Sequence, residues 1–248
     1  MTTSSTGILP VARPGRPWYV LGASFLISLA FSIWFGLAIG RNLGLFFSGL
    51  ILASILTPLL VAAEKELNRQ FAIVIGVFAA IAIVWLSCVF DDTITFREWL
   101  GAALVLLIFS CAIAALAAFC SRIRIPPAVA VILAIAWLFW PIWLAPALRG
   151  RASAERIVGV LVAGNPTFAI QGALLRSFNV PWAQYRIAYR LTNIGDDIPY
   201  QMPRSILTCW MYHGIIAAIA MLGAHWPRRA ATAVRPEHPP ADQSPRST

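Results

Sequence analysis

Charged side chains make up only 12% of this 248-residue chain, and they are missing altogether from the middles of its apolar stretches. A water-soluble globule of this size needs far more polar side chain to coat its surface, so that class is excluded. The absence of Asp, Glu, Lys and Arg from those middles also argues against proton relays and ion-coupled pumping. Ionisable groups in hydrocarbon are costly and are tolerated mainly where they work. Nucleotide-binding and hydrolase signatures are absent too. There is no G-x-x-x-x-G-K-[ST], no G-x-S-x-G, no H-E-x-x-H and no glycine-rich dinucleotide pattern, so any ATP-driven work requires a second chain. The four cysteines, Cys88, Cys111, Cys120 and Cys209, form no C-x-x-C pair and have no interleaved histidine. They read as small buried hydrophobes and not as zinc ligands. No catalytic residue, metal site or cofactor is expected, and the chain is not read as an enzyme.

What fills the chain instead is apolar: 59% of the residues are hydrophobic, with a mean hydropathy of +0.76. A helix crossing the hydrocarbon core needs about 20 consecutive apolar residues, because backbone amides there must bond internally. Residues 18–40, 43–63, 71–90, 99–120, 128–148 and 205–224 all qualify. The expectation is an all-α polytopic membrane protein with six transmembrane helices in a domain of residues 18–226. It is flanked by a tail of residues 1–17 and by a Pro/Ala/Arg/Ser-rich tail of residues 227–248 that is expected to be disordered. The first stretch has no A-x-A site after a short apolar core and reads as a retained signal anchor. Pro58, Pro141 and Pro146 lie within spans and predict kinks. A tight hairpin at Arg41 and Asn42 joins the first two spans. No internal repeat is legible.

The net charge of +9 comes from arginines scattered through short loops and tails. That distribution fits anionic lipid, not nucleic acid. Arg13, Arg16, Lys65, Arg69, Arg122, Arg124, Arg228, Arg229 and Arg235 fall on one side of a six-span arrangement. The short loops of the other side carry only Arg41 and Arg97, the latter beside Asp91, Asp92 and Glu98. The positive-inside tendency then puts both termini in the cytoplasm, with the protein multi-pass in the inner (cell) membrane.

Residues 149–204 separate the fifth and sixth stretches and are expected outside the cytoplasm. Ser153 caps a short helix over residues 153–162 with Glu155 in its first turn. Gly164, Asn165 and Pro166 break it, and Asn165 as N-cap with Pro166 at the first helical position starts a second short helix over residues 166–177. Both are too short to cross, so they predict a re-entrant or interfacial pair. Trp182, Tyr185, Tyr189 and Tyr200 suit the headgroup layer. Asp196 and Asp197 pair with Arg186 and Arg190 in a solvated turn. His213, the histidine inside the last span, reads as a packed group or as a pore or lipid contact. His225 lies about 18 Å further along that helix at 1.5 Å per residue, too far to share a haem iron with it.

Six spans, both termini on one side and the Gly164-Asn165-Pro166 break followed by the amphipathic stretch of residues 167–175 resemble the permease subunit of a type-2 ABC exporter (ABC-2). The resemblance is architectural and covers residues 18–224. It implies an extracytoplasmic re-entrant hairpin at Gly164, Asn165 and Pro166. It also implies a cytoplasmic coupling loop at residues 63–70, with Glu64, Lys65, Glu66 and Arg69 as the contacts to the ATPase. This loop is shorter than is usual in that family. The implied partners are a separate cytoplasmic ATP-binding subunit and a second permease subunit, forming a homo- or heterodimer in the lipid bilayer. The implied activity is export of a hydrophobic or amphipathic substrate. The alternative reading of the same residues is a non-transport scaffold or anchor subunit of a larger complex, working through residues 149–204.

Overall fold

The structure is a computed structural model describing residues 17–39, 43–148, 154–174, 203 and 205–225, and all regular structure among them is helical. In chain order the helices are α1 (Pro17–Ile39), α2 (Leu43–Ala62), α3 (Leu67–Phe90), α4 (Phe96–Arg122), α5 (Ala128–Leu138), α6 (Trp140–Leu148), α7 (Ala154–Gly164), α8 (Pro166–Leu174) and α9 (Leu207–His225). Five of them, α1 to α4 and α9, are long and apolar enough to cross a membrane, and α7 with α8 forms a bent pair. The chain is an all-α, multi-span membrane protein. The strip of Trp182, Tyr185, Arg186, Tyr189, Arg190, Asp196, Asp197 and Tyr200, both tails and the Arg41–Asn42 turn lie outside the described residues.

The fifth apolar stretch, expected as one helix over residues 128–148, is two helices that part at Phe139. Proline explains the break. Pro141 has no N–H to give the carbonyl of Trp137 four residues back, and its ring crowds that turn. It therefore sits in the first turn of a new helix, where a missing donor costs nothing. Pro58 and Pro146, by contrast, lie inside helices that run on through them.

Charge marks where lipid ends. Between Glu98 and Arg122, α4 carries no charged residue, a length of about 36 Å at 1.5 Å per residue, against a hydrocarbon core of about 30 Å. The bundle's outward surface between those levels is apolar, with Leu37, Ile219 and Leu222 each more than 60% exposed. In water such a face would invite aggregation; in lipid it is the solvent-matched surface.

Helix α4 is the axis, with α2, α3, α5, α8 and α9 packed around it and α1 leaning on α3 from outside. The α1–α3 contact is close because Gly76 has no side chain. A Cβ there would stand 2.9 Å from the Leu21 carbonyl and 3.1 Å from the Phe25 amide. Ser24, Ser28 and Ser32, one per turn of α1, are all buried. Small residues at such seams let helix backbones approach, which is how helices associate when lipid removes the hydrophobic drive.

The bundle has two distinct ends. The Arg122 side chain donates to the carbonyl of Ala224, so α4 and α9 finish together. The turn at residues 63–66, the loop at residues 123–127 and the start of α1 lie at this Arg122 end. The opposite end holds the loop at residues 91–95, where Thr95 Oγ1 accepts from the Glu98 amide and Glu98 Oε2 accepts from the Thr95 amide. This reciprocal capping box fixes the entry of α4. The start of α1 and the finish of α9, the first and last described helices, thus lie at the same end.

Candidate functional site

Gly164, Asn165, Pro166 and His213 come together around the break between α5 and α6, at the level of the α4 midpoint. Asn165 is completely buried. Its Nδ2 donates to the carbonyl of Trp137 at 2.6 Å, and its Oδ1 accepts from the Thr167 amide at 2.9 Å. The first bond satisfies the carbonyl that Pro141 leaves without a helical donor. The second caps α8, as the Asn-Pro start predicts. One fully buried amide thus repairs two helix ends, and unpaired backbone groups in such surroundings are expensive. The neighbouring freed carbonyl, that of Ala136, accepts from the indole of Trp143 at 2.8 Å.

The bend between α7 and α8 is 76°. From Asn165, α8 runs back toward the Thr95 end, reaching Gly101 of α4 beside Ala173 and the Pro203 carbonyl beside Gly172. On α4, Phe109 to Gly101 is a rise of about 12 Å, so the nine residues of α8 cover half the thickness and no more. Helix α7 packs Val158 and Val162 against Trp140 in a separate small core.

An aromatic wall backs the bend. Trp137 and Tyr212 stack at 5.1 Å with their planes 12° apart, and Gly164 lies against both rings, a Cβ there meeting Tyr212 at 3.4 Å. His213, next to Tyr212, is 2% exposed and edge-on to Phe109 at 5.4 Å. Its Nδ1 donates to the Cys209 carbonyl at 2.9 Å. Its Nε2 is buried with no hydrogen-bond partner among the described residues. Sequence reasoning located Asn165 and His213 but not Trp137, Tyr212 or Gly172. The position four residues before Pro141 was the available pointer to Trp137.

In comparisons with protein-family models, curated proteins and solved structures, nothing matches this chain.

The remaining candidates sit elsewhere. Glu64, Lys65, Glu66 and Arg69 lie at the Arg122 end, about 20 Å along α4 from the level of Phe109. Arg69 Nη1 is 3.4 Å from Glu64 Oε2, and its Nε is 3.0 Å from Glu66 Oε2. Gln70 donates to the Glu64 carbonyl at 2.8 Å. Three of the four residues therefore form one knot across the turn, and Lys65 is exposed. Residues 67–70 are the first turn of α3 and not a separate helix.

Proposed function

We propose that the chain is the membrane-spanning permease subunit of an ABC-type exporter, moving a hydrophobic or amphipathic substrate with the help of a separate ATPase. The observation that carries this reading is the bent pair α7–α8, whose tip at Asn165 lies at mid-bundle depth against a broken helix. Non-crossing helices at that depth are tolerated where protein covers them or where they line a path. Their return toward one end of a bundle whose first described helix starts, and whose last finishes, at the other is the arrangement implied by the resemblance to type-2 ABC exporters.

Charge supports the orientation. Among the described residues, the Arg122 end carries Lys65, Arg69, Arg122 and Arg124 against Glu64 and Glu66. The loop at the Thr95 end carries Asp91, Asp92 and Glu98 against Arg97. The positive-inside tendency makes the Arg122 end cytoplasmic. There the ion-paired turn at residues 63–66, with exposed Lys65, Leu67 and Phe71 beside it, is the surface for the ATPase. The apolar interior suits a cargo without charge along most of its length.

Purified in mild detergent from its own membranes, the protein should bring with it an ATP-binding subunit and vanadate-sensitive ATP hydrolysis. A double replacement, Glu64→Ala with Arg69→Ala, should weaken that association. A preparation without hydrolysis, in which stable partners instead hold the Thr95 end, would replace this reading with the anchor one.

A further inference from the structure

Helices α3 and α9 pack on α4 from two sides and leave a groove between them in the half of the bundle nearest Arg122. Its volume is about 210 Å³. The floor is a run of small residues on α4, Cys111, Ala114, Ala115 and Ala118, and one wall is Ala217, Ala218 and Met221 of α9. The opposite wall is apolar except for Gln70. The groove exists because alanines on α4 and α9 face each other where larger side chains would have filled the space.

Size and chemistry restrict the occupant. An apolar cavity of about 150 Å³ in another protein stays dry and takes up benzene, so this lining admits hydrocarbon and not water. Whole small-molecule sites run to roughly 300–1,000 Å³, so the groove holds a tail and leaves a headgroup outside. The end toward Arg122 is where a headgroup belongs. Arg122 lies one helical turn beyond Ala118, and its side chain reaches across to Ala224 of α9. The surrounding described loops hold four basic residues against two acidic ones. A basic rim at the bilayer surface favours an anionic headgroup.

We propose that this groove binds one acyl chain of an anionic membrane lipid, with the headgroup at the Arg122 rim. That such a lipid is the cargo rests on the exporter reading above; the binding itself does not.

The test uses the full-length protein in phosphatidylcholine vesicles and two photoactivatable probes with a diazirine at the end of an acyl chain, one a phosphatidylglycerol and one a phosphatidylcholine. Crosslinks mapped by mass spectrometry should concentrate on residues 111–118 and 217–221 relative to the exposed face of α1, which carries Leu26, Ile33, Trp34 and Leu37. The anionic probe should label the groove about fivefold more strongly, the effect of about 1 kcal/mol per basic residue at a membrane surface. Arg122→Gln should remove that preference and keep the tail crosslinks. Ala118→Phe and Ala218→Phe, which fill the groove, should each remove the groove crosslinks while α1 labelling persists as the sign of an intact bundle. Groove labelling no stronger than that of α1, or equal labelling by the two probes in the unaltered protein, would overturn the proposal. Groove labelling in a protein that never engages an ATPase leaves the site standing and removes the exporter. ATP hydrolysis without groove labelling does the reverse.

Discussion

Replacing Asn165 by alanine removes two hydrogen bonds at once, the one that satisfies the Trp137 carbonyl and the one that caps α8. A lost N-cap and a newly orphaned buried carbonyl each cost about 1–2 kcal/mol. Asn165→Ala should therefore lower the midpoint of thermal unfolding in detergent clearly. Asn165→Asp, which keeps the cap acceptor and loses the donor, should fall below wild type as well. An unchanged midpoint in both would mean that the junction does not hold the bend. Two glycines give a sharper contrast. A Cβ at Gly172 would stand 2.6 Å from the Pro203 carbonyl, whereas at Gly159 it meets nothing within 4 Å. Gly172→Ala should cost about 1–3 kcal/mol through overpacking against backbone. Gly159→Ala should be neutral or gain up to about 1 kcal/mol of helix propensity. The same unfolding assay reads both, and equal effects would contradict the placement of α8 beside Pro203.

Helix α1 tests how the bundle is held. Its seam with α3 rests on Gly76 and the serine stripe, and most of its surface is otherwise exposed. Gly76→Leu should separate the pair while leaving α2 to α4 assembled. Cysteines placed at Gly36 and Val84, where a Cβ on Gly36 would stand 3.7 Å from the Val84 side chain, should crosslink in the parent and lose that contact in the Gly76→Leu variant; persistent contact in the variant would be evidence against this seam. Among the elements, those written by local rules were legible in the sequence. The long crossings follow from apolar length and flanking charge, and the α8 start follows from Asn165-Pro166. The split of the fifth stretch followed from Pro141 only as a kink, because proline announces a freed carbonyl but not what will satisfy it. The groove was not legible: Cys111, Ala114, Ala115 and Ala118 look like any lipid-compatible helix face until α3 and α9 are seen to flank them. The turn at residues 63–66 was legible as short but not as ion-paired, since that depends on where the first turn of α3 turns Arg69.

The molecule as a unit is defined by its two charged ends and by a bent pair that leaves the bundle at the end opposite the one where the described chain begins and finishes. The exporter reading depends on that sidedness. It is tested most directly by single cysteines in a cysteine-free background, probed in intact cells with a membrane-impermeant thiol reagent. Asp91→Cys at the Thr95 end and Arg156→Cys at the start of α7 should be labelled from outside, while Lys65→Cys should react only after the membrane is opened. Labelling of Arg156→Cys together with Lys65→Cys, and apart from Asp91→Cys, would contradict the account.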